Sequence, residues 1–296
     1  MKRIHIARSA GFCFGVTRAI SIANDTARKG EKDREVRPIH SLGPLIHNPQ
    51  AVRDLETRGV HVVESVDQIA CGKVIVRSHG ITRADQEALR GKEVEVIDAT
   101  CPFVSKAQEH ASRLSREGYA VIVVGDENHP EVKSIVSYIG PGVPILASLE
   151  EIRRIKPGVR KAGIVAQTTQ SLERLLEFVS AALSKFPEVR VYNTICNATI
   201  LRQKESIAVA GRTDLMIVLG GYNSANTRRL FEICREINEN TLHIETAEEL
   251  STGPLEGVAS VGVTAGASTP QWIIDGLVEK IRETWSGEPV EVVYTK

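Results

Sequence analysis

The feature that most constrains this chain is a threefold internal repeat. Three short apolar runs each lead into a cysteine. Ile4-His5-Ile6-Ala7 runs towards Gly11-Phe12-Cys13-Phe14-Gly15-Val16, Val96-Ile97-Asp98-Ala99-Thr100 runs into Cys101-Pro102, and Val189-Arg190-Val191-Tyr192-Asn193-Thr194-Ile195 runs into Cys196. The cysteines are spaced 88 and 95 residues apart, and about one more unit follows Cys196. When segments recur at a fixed period, each repeat is one supersecondary unit, and every motif must be read within that frame. Proline suits the first position of a helix, so Pro102 predicts a strand that turns into a helix with the Cys101 thiol at the junction.

Three further elements keep the register. A strand leading into a polar loop occurs as Pro38–Gly43 ahead of His47-Asn48-Pro49, as Tyr119–Gly125 ahead of His129-Pro130-Glu131, and as Leu215–Gly221 ahead of Asn223-Ser224-Ala225-Asn226. His47, Glu131 and Asn226 follow their unit's cysteine by 34, 30 and 30 positions. Each unit then carries Ser or Thr with Gln or Glu three residues later, the signature of a capping box: Ser65 with Gln68, Ser148 with Glu151, Thr246 with Glu249. Last comes a strand ending in small polar residues, around Ser78-His79-Gly80, Gln167-Thr168-Thr169 and Gly266-Ala267-Ser268.

Near-continuous Val and Ile runs alternating with helical patterns such as 106–117 and 227–238 predict an α/β fold with mostly parallel, doubly covered sheets. The expected organisation is three similar α/β units in a pseudo-threefold trefoil around a central iron-sulfur site. Residues 14–97 form one unit, 98–193 a second, and 1–13 with 194–285 a third, while 286–296 reads as a C-terminal extension. Ligands of open parallel sheets bind beyond the carboxyl ends of the strands, where every loop named above falls.

Composition narrows the function. The chain has 296 residues, 37 basic and 37 acidic side chains and no net charge, so no polycationic surface for nucleic acid or anionic lipid is expected. No apolar signal run follows Met1-Lys2-Arg3-Ile4-His5 and no segment approaches the length of a membrane helix, which predicts a cytoplasmic protein. Five widely spaced cysteines argue against a disulfide framework. Cys71 and Cys234 break the repeat and read as surface or core thiols.

Three in-register thiols can bind a metal. Zinc commonly uses paired Cys-x-x-Cys ligands, which are absent here, whereas a cubane iron-sulfur cluster held by three thiolates keeps one iron open. His47, His79, His129, Ser224, Asn226 and Ser268 supply neutral or switchable donors at loops that open helices, a set suited to a phosphate-bearing ligand. Without a glycine-rich dinucleotide fingerprint or a P-loop, a small phosphorylated molecule fits better than a nucleotide. Glu131 is the one carboxylate among these named candidates and the candidate proton donor, the alternative being an ordinary first-turn acid after Pro130. Thr168 can position a substrate hydroxyl or cap a helix near Ser171. A non-catalytic iron-sulfur sensor of a phosphorylated metabolite and a zinc hydrolase are the competing functional classes.

The motifs Gly11–Ala19, Ile46–Pro49, Arg77–Gly80, Asp98–Pro102, His129–Val132, Ala166–Gln170, Cys196–Thr199 and Val263–Ser268, taken in order, closely resemble the 4-hydroxy-3-methylbut-2-enyl diphosphate reductase (LytB/IspH) family over residues 1 to about 285. The resemblance implies one [4Fe-4S] cluster per chain on Cys13, Cys101 and Cys196, with one iron lacking a protein ligand. It implies diphosphate binding by His47, His79, His129, Ser224, Ala225, Asn226 and Ser268, proton delivery by Glu131 working with the diphosphate and Thr168, and orientation of the substrate hydroxyl or an active-site water by Thr168. It also implies an allylic diphosphate substrate and a ferredoxin- or flavodoxin-type electron donor. Many relatives carry serine where this chain has Ala225, which leaves only the backbone amide as a donor there.

Overall fold

The computed structural model describes residues 1–32, 38–155 and 158–295. The first elements in chain order are β1 (Lys2–Ala7), α1 (Phe14–Lys32), β2 (Ile39–Leu42), α2 (Pro49–Thr57), β3 (Val60–Val63), β4 (Gly72–Val76), α3 (Arg83–Arg90) and β5 (Val94–Asp98). There follow α4 (Pro102–Arg116), β6 (Ala120–Val124), α5 (Pro130–Ser137), β7 (Ile145–Leu146), α6 (Leu149–Arg154), β8 (Lys161–Ala166), α7 (Leu172–Leu183) and β9 (Glu188–Val191). The last are α8 (Asn197–Ala210), β10 (Leu215–Leu219), α9 (Ala225–Ile237), β11 (Thr241–Ile244), β12 (Ser260–Ala265), α10 (Gln271–Thr284) and β13 (Val290–Thr295).

The strands form three sheets, ordered β3-β2-β4-β5, β7-β6-β8-β9 and β11-β10-β12-β1-β13. Every pairing among them is parallel. The expected α/β class with parallel sheets is therefore present, and the repeat is visible in the topology. In each sheet the unit's second strand lies outside its first, the third lies on the first strand's other side, and a fourth strand follows. That fourth strand is β5, β9 or β1, the strand whose outgoing loop carries Cys101, Cys196 or Cys13. Reversal of the chain's progression between first and third strands creates the crevice where such sheets bind ligands.

By internal contacts the chain divides into two compact units: residues 1–17, 47–51 and 197–296, and residues 18–46 and 52–196. The first unit holds the five-stranded sheet. Its strand Leu215–Leu219 is buried throughout, with Leu215, Ile217 and Leu219 packed with Ile273, Ile274, Leu277 and Ile281 of α10, while Met216 and Val218 join Val209, Leu230 and Cys234. Both faces are covered, which is why the strand reads as an unbroken apolar run. Residues 286–296, read from sequence as an extension, carry β13, which pairs with β1 from Lys2↔Val290 to Ala7↔Thr295; Lys296 lies outside the described residues.

The second unit holds both four-stranded sheets. In the β6 sheet, Ile122 and Val124 pack with Leu175, Phe178 and Ala182 of α7, and Val121 and Val123 pack with Ala107, Ala111 and Leu114 of α4. In the β2 sheet, Leu42, Val74 and Val76 cluster with Ile81 and Leu89. All three predicted capping boxes form. The N–H groups of Ser65, Ser148 and Thr246 donate to the side chains of Gln68 (3.1 Å), Glu151 (3.1 Å) and Glu249 (3.2 Å). Only the middle one opens an α-helix; the other two open single 3-10 turns. Among the described residues no helix is long and apolar enough to cross a membrane.

Candidate active site

Within the second unit, six of the predicted site residues are tied into one network. Cys101 is the N-cap of α4, Pro102 is its first residue, and the Cys101 N–H donates to the Ser78 carbonyl at 2.9 Å, beside His79. The loop ahead of Cys101 is fixed twice. Thr100 N–H donates to Asp98 Oδ1 at 2.8 Å, and the Arg18 guanidinium donates to the carbonyls of Thr100 (3.1 Å) and Asp98 (3.3 Å). The Cys196 loop repeats the turn, with Ile195 N–H donating to Asn193 Oδ1 at 3.2 Å. Asp98 and Asn193 both stand three residues before their cysteine, so the two thiols leave equivalent turns.

Cys196 N–H donates to the Thr168 carbonyl at 3.0 Å. Thr168 in turn donates its N–H to Glu131 Oε1 at 2.6 Å and its hydroxyl to Glu131 Oε2 at 3.1 Å. The Glu131 side chain is 2% exposed. Burial pushes its carboxyl up to about 7, and the two Thr168 hydrogen bonds hold it from rising further. Glu131 N–H donates to His129 Nδ1 at 3.2 Å, which makes His129 the N-cap of α5. With Nδ1 accepting, the neutral ring carries its proton on Nε2. The His79 ring meets the His129 ring edge-on, centroids 5.4 Å apart. Thr168 therefore steadies Glu131 and leaves the capping of α7 to Ser171.

Within the first unit, Cys13 immediately precedes α1, and its N–H donates to the Ala267 carbonyl at 3.2 Å. The neighbouring Ser268 hydroxyl donates to the His47 carbonyl at 2.9 Å. Gly221 lies against that same carbonyl so closely that a Cβ there would sit 2.9 Å from it, so this loop has room only for glycine. Ser224 caps α9 by accepting from Thr227 N–H at 3.3 Å, and Ala225 is the helix's first residue. Asn226 is buried, and its Nδ2 has no hydrogen-bond partner among the described residues. First-turn amides, a capping hydroxyl and a buried carboxamide N–H are groups that can donate to an anion.

The thiols suit an iron-sulfur group. Cys13, Cys101 and Cys196 are half-buried, none is in a disulfide, and each directly precedes the first residue of a helix. Three soft sulfur donors, each at the start of a helix, fit iron-sulfur chemistry. The remaining cysteines behave differently. Cys234 is fully buried among apolar side chains, and burial pushes its thiol up to about 12; Cys71 is exposed in a turn before Gly72.

Two supporting residues lie inside the quoted motifs, Arg18 in Gly11–Ala19 and Gln167 in Ala166–Gln170, with no role assigned to either from sequence. Arg18, in α1, donates to the carbonyls ahead of Cys101. In the structure Gln167 is buried, and its Oε1 accepts from Asp126 N–H at 3.1 Å, joining the end of β8 to the loop ahead of His129.

The sequence profile of a family described as LytB protein matches residues 4–282. The 4-hydroxy-3-methylbut-2-enyl diphosphate reductase of Geobacter sulfurreducens is 53% identical over 280 residues, covering 95% of this chain and 97% of the relative. The protein of the same name from Syntrophotalea carbinolica is 50% identical over 282 residues, covering 95% and 99%. Among solved structures, the E-1-hydroxy-2-methyl-but-2-enyl-4-diphosphate reductase from Plasmodium falciparum matches with a TM-score of 0.90 at 26% identity, covering 99% of this chain and 92% of the other. An (E)-4-hydroxy-3-methyl-but-2-enyl diphosphate reductase, described as the terminal enzyme of the non-mevalonate pathway, matches with a TM-score of 0.69 at 46% identity, covering 96% and 100%.

Proposed function

Because the chain belongs to the LytB protein family, we propose that it is a reductase acting on (E)-4-hydroxy-3-methylbut-2-enyl diphosphate in the last step of the non-mevalonate isoprenoid pathway. The reaction takes two electrons and two protons, breaks the allylic C–O bond, releases water, and yields isopentenyl and dimethylallyl diphosphate. Cys13, Cys101 and Cys196 would hold one [4Fe-4S] cluster with one iron lacking a protein ligand. Such a cluster, when bound, supplies single electrons and a Lewis-acidic iron.

The chain's own residues do the rest. His47, His79, His129, Ser224, Asn226, Ser268 and the backbone amide of Ala225 bind the diphosphate, whose charge is matched by helix N-termini and N–H donors. Thr168 orients the substrate hydroxyl. Glu131 holds a proton near neutral pH, gives it to the departing oxygen, and is reprotonated for the next turnover. The second proton goes to either end of the allylic carbon system, which accounts for two products. The protein works in the cytoplasm, and a ferredoxin- or flavodoxin-type protein supplies low-potential electrons.

The observation that carries this reading is the buried Glu131 carboxyl, raised to about 7 and held at both oxygens by Thr168, whose carbonyl is bonded to the Cys196 N–H. A purely structural acid in the first turn of α5 would gain nothing from such burial. The test is Glu131→Gln in anaerobically reconstituted protein. The expected result is an unchanged cluster absorption spectrum and turnover lower by about 100-fold or more, the range for loss of a general acid. Wild-type turnover in that variant would overturn the assignment.

A further inference from the structure

Helix α8 breaks the pattern of the other core helices. Its inward face carries Thr199, Arg202, Glu205 and Ser206, all buried, where an apolar stripe is the norm. Arg202 is 2% exposed and Glu205 7%. Both side chains converge on the turn that leads to Cys13. Arg202 Nε and Nη2 donate to the Ser9 carbonyl at 3.0 and 2.6 Å, and Nη2 also donates to the Gly11 carbonyl at 2.6 Å. Glu205 Oε2 accepts from the Ser9 N–H at 2.7 Å. One helix thus grips Ser9 by both its N–H and its C=O and takes the carbonyl of Gly11, a residue at φ +95° where only glycine is at ease.

The same helix also holds the other flank of Cys13. The Ser206 hydroxyl bonds the Thr264 hydroxyl of β12 at 2.7 Å, and β12 leads to Ala267, whose carbonyl accepts the Cys13 N–H. Burying an arginine and a glutamate is expensive, and an apolar pair of similar volume would serve a core as well. What these groups add is direction. The guanidinium is a rigid planar fork that fits two carbonyls, a geometry that lysine cannot copy.

We propose that Arg202 and Glu205 are positioning residues for the Cys13 thiolate, fixing the turn that aims its sulfur at the metal group. The proposal rests on the reading of Cys13 as a cluster ligand. Outer groups that orient a metal ligand change metal affinity by about 10- to 100-fold when lost.

The test uses the full chain with Arg202→Lys and Glu205→Leu, and Arg282→Lys, an exposed helix residue, as control. Two quantities are read. In metal-free protein, alkylation of Cys13 is measured by peptide mass spectrometry relative to the exposed Cys71, an internal reference. In reconstituted protein, iron release to a chelator is timed. The expected result is a rise of about tenfold in both for Arg202→Lys, a smaller rise for Glu205→Leu, and none for the control. If Arg202→Lys does not fold, Glu205→Leu decides, since it removes the acceptor of the Ser9 N–H at similar volume: faster alkylation supports the clamp and an unchanged ratio overturns it. Folded variants with wild-type alkylation ratios overturn the proposal. A wild-type chain that takes up no iron and sulfide overturns the cluster reading instead, and the alkylation ratio still reports on the clamp.

Discussion

Replacing Glu131 by glutamine isolates the proton chemistry from the fold. The glutamine keeps an acceptor for the Thr168 N–H, and its amide N–H can donate to the Thr168 hydroxyl, so both hydrogen bonds of the wild-type side chain survive in shape. What changes is titration. The carboxyl rises from an ordinary 4.5 to about 7 in the folded chain, chiefly through desolvation, with the Thr168 bonds opposing. A raised value means that the folded state binds the proton more tightly than the unfolded state. The stabilisation from protonated Glu131 is therefore complete below pH 4.5 and is lost as pH rises through 7. At 1.36 kcal/mol per unit, the shift is worth about 3 kcal/mol. Glutamine has no such dependence. The stability of Glu131→Gln relative to wild type should climb by about 3 kcal/mol between pH 4.5 and 8.5, measured by urea unfolding of the reduced, metal-free chain. The Glu131 carboxyl carbon, followed by NMR, should titrate near pH 7. A midpoint near the ordinary value, or a stability difference flat with pH, would refute the argument that burial holds the proton in place.

Three other outcomes follow from the same geometry. Serine at Cys13, Cys101 or Cys196 should abolish stoichiometric iron and sulfide uptake, whereas Cys71→Ser should retain it, because Cys71 is exposed in a turn outside the repeat; metal and sulfide analysis after reconstitution decides. Thr168→Val removes the hydroxyl that holds the Glu131 carboxyl down, so the alkaline limb of the activity profile should move to higher pH, and a shift downward would contradict the assigned role. Gly163→Ala places a Cβ 2.4 Å from Leu114 of α4, so it should destabilise the chain by about 1–3 kcal/mol in urea melts through overpacking.

Much of the architecture was legible because repetition made weak signals strong. A single Ser-x-x-Gln or a lone cysteine says little, yet Ser65, Ser148 and Thr246 all proved to be caps, and Cys13, Cys101 and Cys196 all proved to sit one residue before a helix. Unbroken runs such as Leu215–Leu219 announced parallel strands covered on both faces. What escaped was whatever depends on one residue meeting another far away in the chain. The clamp of Arg202 and Glu205 on Ser9 spans nearly two hundred positions, and an arginine with a glutamate three residues later on a helix reads as a solvated pair. Strand β13 escaped for a related reason. Glu291 and Tyr294 interrupt its apolar pattern, because an edge strand with a half-exposed face need not be apolar throughout.

The central claim is that this chain reduces an allylic diphosphate. The direct measurement is an anaerobic assay of the reconstituted chain with (E)-4-hydroxy-3-methylbut-2-enyl diphosphate and a chemical one-electron reductant, with both five-carbon diphosphates quantified. Isopentenyl and dimethylallyl diphosphate should form together, with two electrons consumed per product formed. A chain loaded with iron and sulfide that binds the substrate and forms neither product would contradict the claim.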